Sequence, residues 1–239
     1  RVQFSSAVTD TFKFGLIGQA DRAVGDLALF KSQSIGLGRM CSSVPKTKKY
    51  VRFGGLNNGV SFHSTARNRD VNNLVSIHDG LHRAPISIAK ASNRGDWLIT
   101  GCVDSTLRVW RVRNEELVYK STLCGHDGFC VRALDVSSEF STIASGCDQG
   151  RVLLWNLRTL CFVRELPQAS EGEPVLSVSI NNANGNVLTL VGGVLSLFDI
   201  NGNLLATHDD FESKPTCAVA TDCPEWLEHG VVAVTGHVS

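Results

Sequence analysis

The 239-residue sequence predicts an all-β fold assembled from repeated four-stranded antiparallel units, and three observations carry that prediction. The first is a period: an aromatic residue closes successive apolar runs at Phe62, Trp110, Trp155 and Phe198, at spacings of 48, 45 and 43 residues. The second is an independent landmark. The short apolar runs that open each unit begin at Pro85, Phe129, Pro174 and Pro215, which are 44, 45 and 41 residues apart. The third is texture: short runs rich in Val, Ile, Leu and Thr are broken by RGD, DQG, NANGN and INGN turns, and helical periodicity is nowhere sustained.

The unit from Gly125 to about Pro167 divides into four such runs, CVRALDV, STIASGC, RVLLWNL and CFVRELP. Four antiparallel strands recurring every ~40–45 residues form the blade of a β-propeller. The expected blades span residues 35–81, 82–124, 125–170 and 171–210, with 1–34 a poorly marked blade and 211–239 a partial one. About five four-stranded blades are therefore expected, with the ring incomplete at the C-terminus. The closing aromatic falls ten residues after the second-strand hydroxyl from Thr100 to Trp110 and from Ser145 to Trp155. Applied to Thr235, that spacing points to position 245, past Ser239. A start on Arg1 likewise suggests a piece of a longer chain, and an open ring predicts exposed strand edges and poor solubility when the piece is expressed alone.

Composition narrows the function classes. Lys plus Arg and Asp plus Glu both number 23, so the net charge is zero and the long-range steering of a general nucleic-acid binder is missing. The eight cysteines include no CxxC pair, and most sit in apolar runs such as LITGCVD and IASGCDQG. That usage suits buried free thiols in a reducing compartment rather than a disulfide framework or a zinc site. No run approaches the ~18 apolar residues that span a bilayer, and RVQFSSAVTDTFKFG lacks a signal-peptide core, so a cytoplasmic location is expected.

Gly125-His126 opening a unit and Trp155-Asn156 closing its third strand resemble the WD-repeat family, whose signature is a Gly-His and a Trp-Asp pair. That resemblance implies a hydrogen-bonded tetrad in each blade: a His, a second-strand Ser or Thr, an Asp in the tight turn, and the Trp. His82, Thr100, Asp104 and Trp110 match it, although Leu81 stands for the Gly and Arg111 for the closing Asp. His126, Ser145 and Trp155 match in the next blade, where Gln149 holds the turn position and Asp148 comes one residue early. In the third unit Phe198-Asp199 replaces Trp-Asp and the opening His is missing, so stability there is expected from packing alone. The segments CPEWLEHGVVAVTGHVS and YVRFGGLNNGVSF, the latter with Asn58 at the usual acid, resemble the C-terminal propeller of BEACH-domain proteins, the neurobeachin and lysosomal-trafficking-regulator group.

Chemical readings of the same residues are weaker. His82 and His126 precede a first strand in register with a hydroxyl and an indole, which marks internal hydrogen bonding rather than catalysis. Cys124, His126, Asp127 and Cys130 cluster in sequence, but lack metal-ligand spacing and an orienting third group for a nucleophile. Lys46, Lys48, Lys49 and Arg52 form a basic loop open to anionic lipid, with a solvated loop the blander alternative. No FRRG motif is present, RGD at Arg94 to Asp96 reads as a turn, and GLIGQADRAVG does not match a dinucleotide fingerprint. The expected function is thus a non-catalytic scaffold that needs no cofactor or metal. The resemblance implies vesicle or lysosomal membrane traffic, protein partners on the loops and faces, an upstream BEACH domain and peripheral membrane contact. A generic WD-repeat adaptor, in signalling or as a ubiquitin-ligase substrate receptor, and a lipid-binding propeller are the alternatives.

Overall fold

The computed structural model describes residues 39–44, 49–53, 59–64, 73–113, 116–168, 170, 172–211, 214–220 and 233–237. Side chains are described outside 39–53, 61–77 and 233–237. The predicted blade at 1–34 and the glycines of GLIGQADRAVG lie outside the described residues. All regular structure in the described residues is strand, and no helix there is long and apolar enough to cross a membrane.

Four sheets have four antiparallel strands each, and a fifth has two. The first is β1 (Arg39–Val44), β2 (Lys49–Phe53), β3 (Val60–Ser64) and β4 (Asn73–His78), and the second is β5 (Ile86–Ala91), β6 (Trp97–Cys102), β7 (Thr106–Arg113) and β8 (Glu116–Cys124). The third is β9 (Val131–Ser137), β10 (Thr142–Cys147), β11 (Val152–Asn156) and β12 (Phe162–Leu166). The fourth is β13 (Val175–Ile180), β14 (Val187–Val191), β15 (Val194–Phe198) and β16 (Leu204–His208), and β17 (Pro215–Ala220) pairs with β18 (Ala233–His237). Within each four-stranded sheet the strands stand in chain order, as hairpin connections dictate. The chain divides into two compact units between Thr122 and Leu123, and each is taken by itself.

The turns follow from residue type. Gly150, Gly185 and Gly202 take φ of 85°, 79° and 79° in the DQG, NANGN and INGN turns, a region in which a side chain meets its own carbonyl. Gly95 of the RGD sequence has φ 72° in the β5–β6 turn. There Asp96 accepts a hydrogen bond from Ser92 Oγ at 2.8 Å and pairs with Arg111 at 3.3 Å. Arg111, in the place of the closing Asp, also lies over the Trp97 ring at 4.5 Å.

Strands β10, β11 and β14 are buried along nearly their whole length. A middle strand of a blade has a neighbouring sheet on each side, so neither face meets water. In the second unit Val187, Val191 and Phe198 pack with Ala133, Ala144, Val152 and Leu154 of the preceding blade, while Leu188, Leu190, Leu195 and Leu197 pack toward Ala218 of β17. Polar ties join the same blades. Asp135 Oδ2 on β9 accepts from the Ile180 amide on β13 at 2.7 Å, and Ser179 Oγ on β13 accepts from the Ala220 amide on β17 at 3.1 Å. The contact leaves no room at Gly146, where a Cβ would lie 2.4 Å from Val175 Cγ1. In the first unit Val60, Leu81, Ile86, Ala89, Leu98 and Trp110 form the corresponding core.

Candidate functional site

Two layers of polar residues stand on this frame: a buried set at the centre of the blades β5–β8, β9–β12 and β13–β16, and an exposed row on the innermost strands. In the blade β5–β8, Trp110 Nε1 donates to Thr100 Oγ1 at 2.9 Å, and His82 Nε2 shares a hydrogen bond with the same hydroxyl at 2.7 Å. In β9–β12, Trp155 Nε1 donates to Ser145 Oγ at 2.8 Å, and His126 Nε2 meets it at 2.8 Å. Both histidines are buried, and burial lowers each imidazole pKa to about 4, helped by Arg108 at His82 and by Arg151 at His126. They are neutral hydrogen-bonding groups at neutral pH.

The turn acid completes neither set by a hydrogen bond. Asp104 Oδ1 instead accepts from the Thr106 amide at 3.0 Å and from its hydroxyl at 2.6 Å. Burial pushes the Asp104 carboxyl up, but these two bonds hold it below its ordinary value. Asp148 pairs with Arg132 on β9, so its early position turns it away from His126. Among the described residues His82 Nδ1 and His126 Nδ1 have no hydrogen-bond partner. The tetrad inferred from the resemblance is therefore a triad in both blades.

The blade β13–β16 corrects a second expectation. Where packing alone is predicted, Thr189 Oγ1 on β14 donates to Gln168 Oε1 at 3.0 Å, and Gln168 Nε2 donates to the Leu166 carbonyl at 3.2 Å. Gln168 takes the part of the missing histidine, 21 residues ahead of its hydroxyl partner rather than 18 or 19. That shifted spacing hides it from a search for the Gly-His pair. Phe198 fills the Trp place fully buried and brings no N–H.

His82, Cys102 and Asp104 place an imidazole nitrogen, a thiol sulfur and a carboxylate oxygen within 4.8 Å of one another. The donor chemistry does not fit a metal. Burial pushes the Cys102 thiol up to about 11, and its S–H points to the Ala84 and Pro85 carbonyls at 3.3 and 3.2 Å, which would repel a thiolate. The cluster Cys124, His126, Asp127 and Cys130 does not converge either: Asp127 pairs with Arg151, which also holds Glu165 at 2.8 and 3.0 Å, and Cys130 Sγ turns to a backbone carbonyl. Of the six described free thiols, Cys102 and Cys147 are buried as expected, but Cys124 and Cys161 are exposed, because they stand at the outer end of a blade and in a turn.

The basic segment is not a single loop. Lys49 and Arg52 belong to β2, paired with Val44 and Met40 of β1, while Lys46 and Lys48 lie outside the described residues.

The exposed row comes from a repeated irregularity that the sequence does not announce. Among the described residues, the first strand of every sheet carries one extra residue near its start: Cys41, Ser87, Arg132, Leu176 and Thr216 each lack a partner in the register. A bulge at this place re-aims a side chain out of the sheet. In the second unit β9, β13 and β17 pack side by side, so Arg132, Leu176 and Thr216 stand in one row, with Arg132 and Thr216 exposed.

Comparison with known proteins agrees with this geometry. The WD domain, G-beta repeat model matches residues 75–111 and 117–156. BEACH domain-containing protein A2 of Arabidopsis thaliana is 31% identical over 234 residues, 93% of this chain, and Protein SPIRRIG of the same plant is 30% identical over the same share. WD repeat- and FYVE domain-containing protein 4 of Homo sapiens is 28% identical over 58% of this chain and 4% of its own length. The chain spans 6% of the length of the two plant relatives. A chain in the crystal structure of the mitotic checkpoint complex superposes with a TM-score of 0.65 at 15% identity, over 84% of this chain and 58% of that one, a likeness of fold alone. The chain is a WD-repeat β-propeller that resembles the WD regions of BEACH-domain proteins.

Proposed function

We propose that this chain is a non-catalytic protein-interaction scaffold, the propeller of a BEACH-type protein acting in vesicle and lysosomal membrane traffic on the cytoplasmic side. The observation that supports this most is the row of bulge residues, with Arg132 and Thr216 exposed on packed innermost strands. A rigid frame that re-aims one side chain per blade presents a composite surface for a partner protein. The chemically reactive groups point the same way: both histidines are held neutral by the blade centres, and the nearby thiol is pushed away from its reactive form. Peripheral membrane contact through Lys46, Lys48, Lys49 and Arg52 and an upstream BEACH domain belong to the same proposal.

The test introduces Arg132→Glu with Thr216→Lys in the full-length protein. We expect an unchanged melt, selective loss of membrane-traffic proteins in quantitative proximity labelling, and displacement of the protein from vesicles. An unchanged neighbour set and location would count against the reading. Flotation with anionic and neutral vesicles tests the lipid part, and absence from both would remove it.

A further inference from the structure

We propose that the outer edge of β16 is a second docking site, and that it takes an extended peptide of apolar residues followed by basic ones, added to the blade as a fifth strand. β16 closes the sheet order β13-β14-β15-β16, so among the described residues one of its edges carries no strand. Unpaired N–H and C=O groups on such an edge are a template for a further strand, and proteins normally guard them with charged residues or proline. The other outer strands with described side chains follow that rule: β8 contains Glu116 and Lys120, and β12 contains Arg164 and Glu165. β16, Leu-Leu-Ala-Thr-His, has no charged residue and no proline.

Its apolar content is also turned outward. Leu204 and Leu205 leave 52% and 45% of their surface in solvent, and Ile200 in the preceding turn leaves 43%. Leu205 is the bulged residue of the strand, while Ala206, Thr207 and His208 run in regular register with β15. An added strand would pair along that regular stretch and cover the leucines with alternate side chains.

The charges select the occupant. Asp209 and Asp210 follow the strand directly and are exposed, with no ion pair among the described residues. Asp199, at the other end, is held ionised by its two hydrogen bonds from Asn203 at 2.8 Å. A second copy pairing antiparallel on this edge would bring Asp209 and Asp210 against Asp199, which like-charge repulsion disfavours. A strand added parallel to β16 and ending in lysines meets Asp209 and Asp210 with opposite charge. This surface is distinct from the bulge row, so the inference stands or falls apart from the trafficking reading.

The probe is a labelled synthetic peptide of alternating valine and threonine ending in lysines, titrated into the full-length protein by fluorescence anisotropy. Two twins carry N-methyl groups on one or the other alternate set of residues. We expect binding that one methylated twin loses and the other keeps, because only one set of N–H groups can face the edge. Leu204→Lys is expected to weaken binding about tenfold or more, and the Asp209→Lys, Asp210→Lys double variant to do the same, with unchanged melts. Val163→Lys on β12 is the control and should leave binding intact. Absence of binding, binding that both methylated twins keep, equal loss in the control, or a dimer through this edge in sedimentation would each overturn the proposal.

Discussion

The blades β9–β12 and β13–β16 are neighbours in one unit with the same strand order, yet they are centred differently. One holds His126, Ser145 and Trp155 on a shared hydroxyl; the other holds Gln168, Thr189 and Phe198, with one hydrogen bond where its neighbour has two. The second blade is no less buried: Phe198, Leu190 and Leu197 are fully enclosed. The difference teaches that the blade is built by close packing of apolar middle strands, while the polar centre sets how much is lost when one of its members is removed.

The largest expected effect tests that statement directly. Ser145→Ala leaves a buried imidazole and a buried indole N–H unpaired and should cost about 3 kcal/mol, against about 1 kcal/mol for Thr189→Val, which strands only the Gln168 amide. Urea unfolding measures both, and equal losses would erase the distinction between the two blades.

Acid should separate them next. His126 has a folded pKa of about 4 because burial opposes its charge, whereas the unfolded imidazole titrates near its ordinary 6.5. Below pH 6.5 the unfolded chain takes up the proton first. Stability contributed by the neutral histidine is therefore full above 6.5 and lost as pH falls toward 4, by about 3 kcal/mol in total. His126→Gln copies the neighbouring blade and should flatten that part of the pH–stability curve. A curve that stays as steep would show that other groups govern the acid loss.

Gly146→Ala pushes a methyl into Val175 of the next blade and should cost about 2 kcal/mol, partly restored by Val175→Ala in the same chain. Simple additivity in that double-mutant cycle would mean that the two blades yield to each other rather than abut. The smallest effect is expected at Asp148→Ala. The partner of Asp148 is the exposed Arg132, so less than about 1 kcal/mol should be lost. A loss near that of Ser145→Ala would place Asp148 at the blade centre instead.

Much of this was legible in the residues. The aromatic landmarks Phe62, Trp110, Trp155 and Phe198 all stand on third strands, because strand periodicity and turn glycines are local signals. His82 with Thr100 and His126 with Ser145 could be paired from spacing, since both belong to one repeated hairpin. Gln168 could not, because a longer linker shifts it out of register and glutamine carries no signature of its own. The turning of Asp104 to Thr106 and of Asp148 to Arg132 was equally hidden, as competing partners for a carboxylate appear only once the turn is built.

The sequence by itself determined the strand type, the period and the identity of the polar hub in two blades, since these rest on short-range patterns of side-chain size and turn chemistry. Only the tertiary structure decided which residues the innermost strands thrust outward at Arg132 and Thr216, and which outer edge was left unguarded at β16. Bulges and free edges are properties of how one strand meets another, and no single strand carries that information in its own residues.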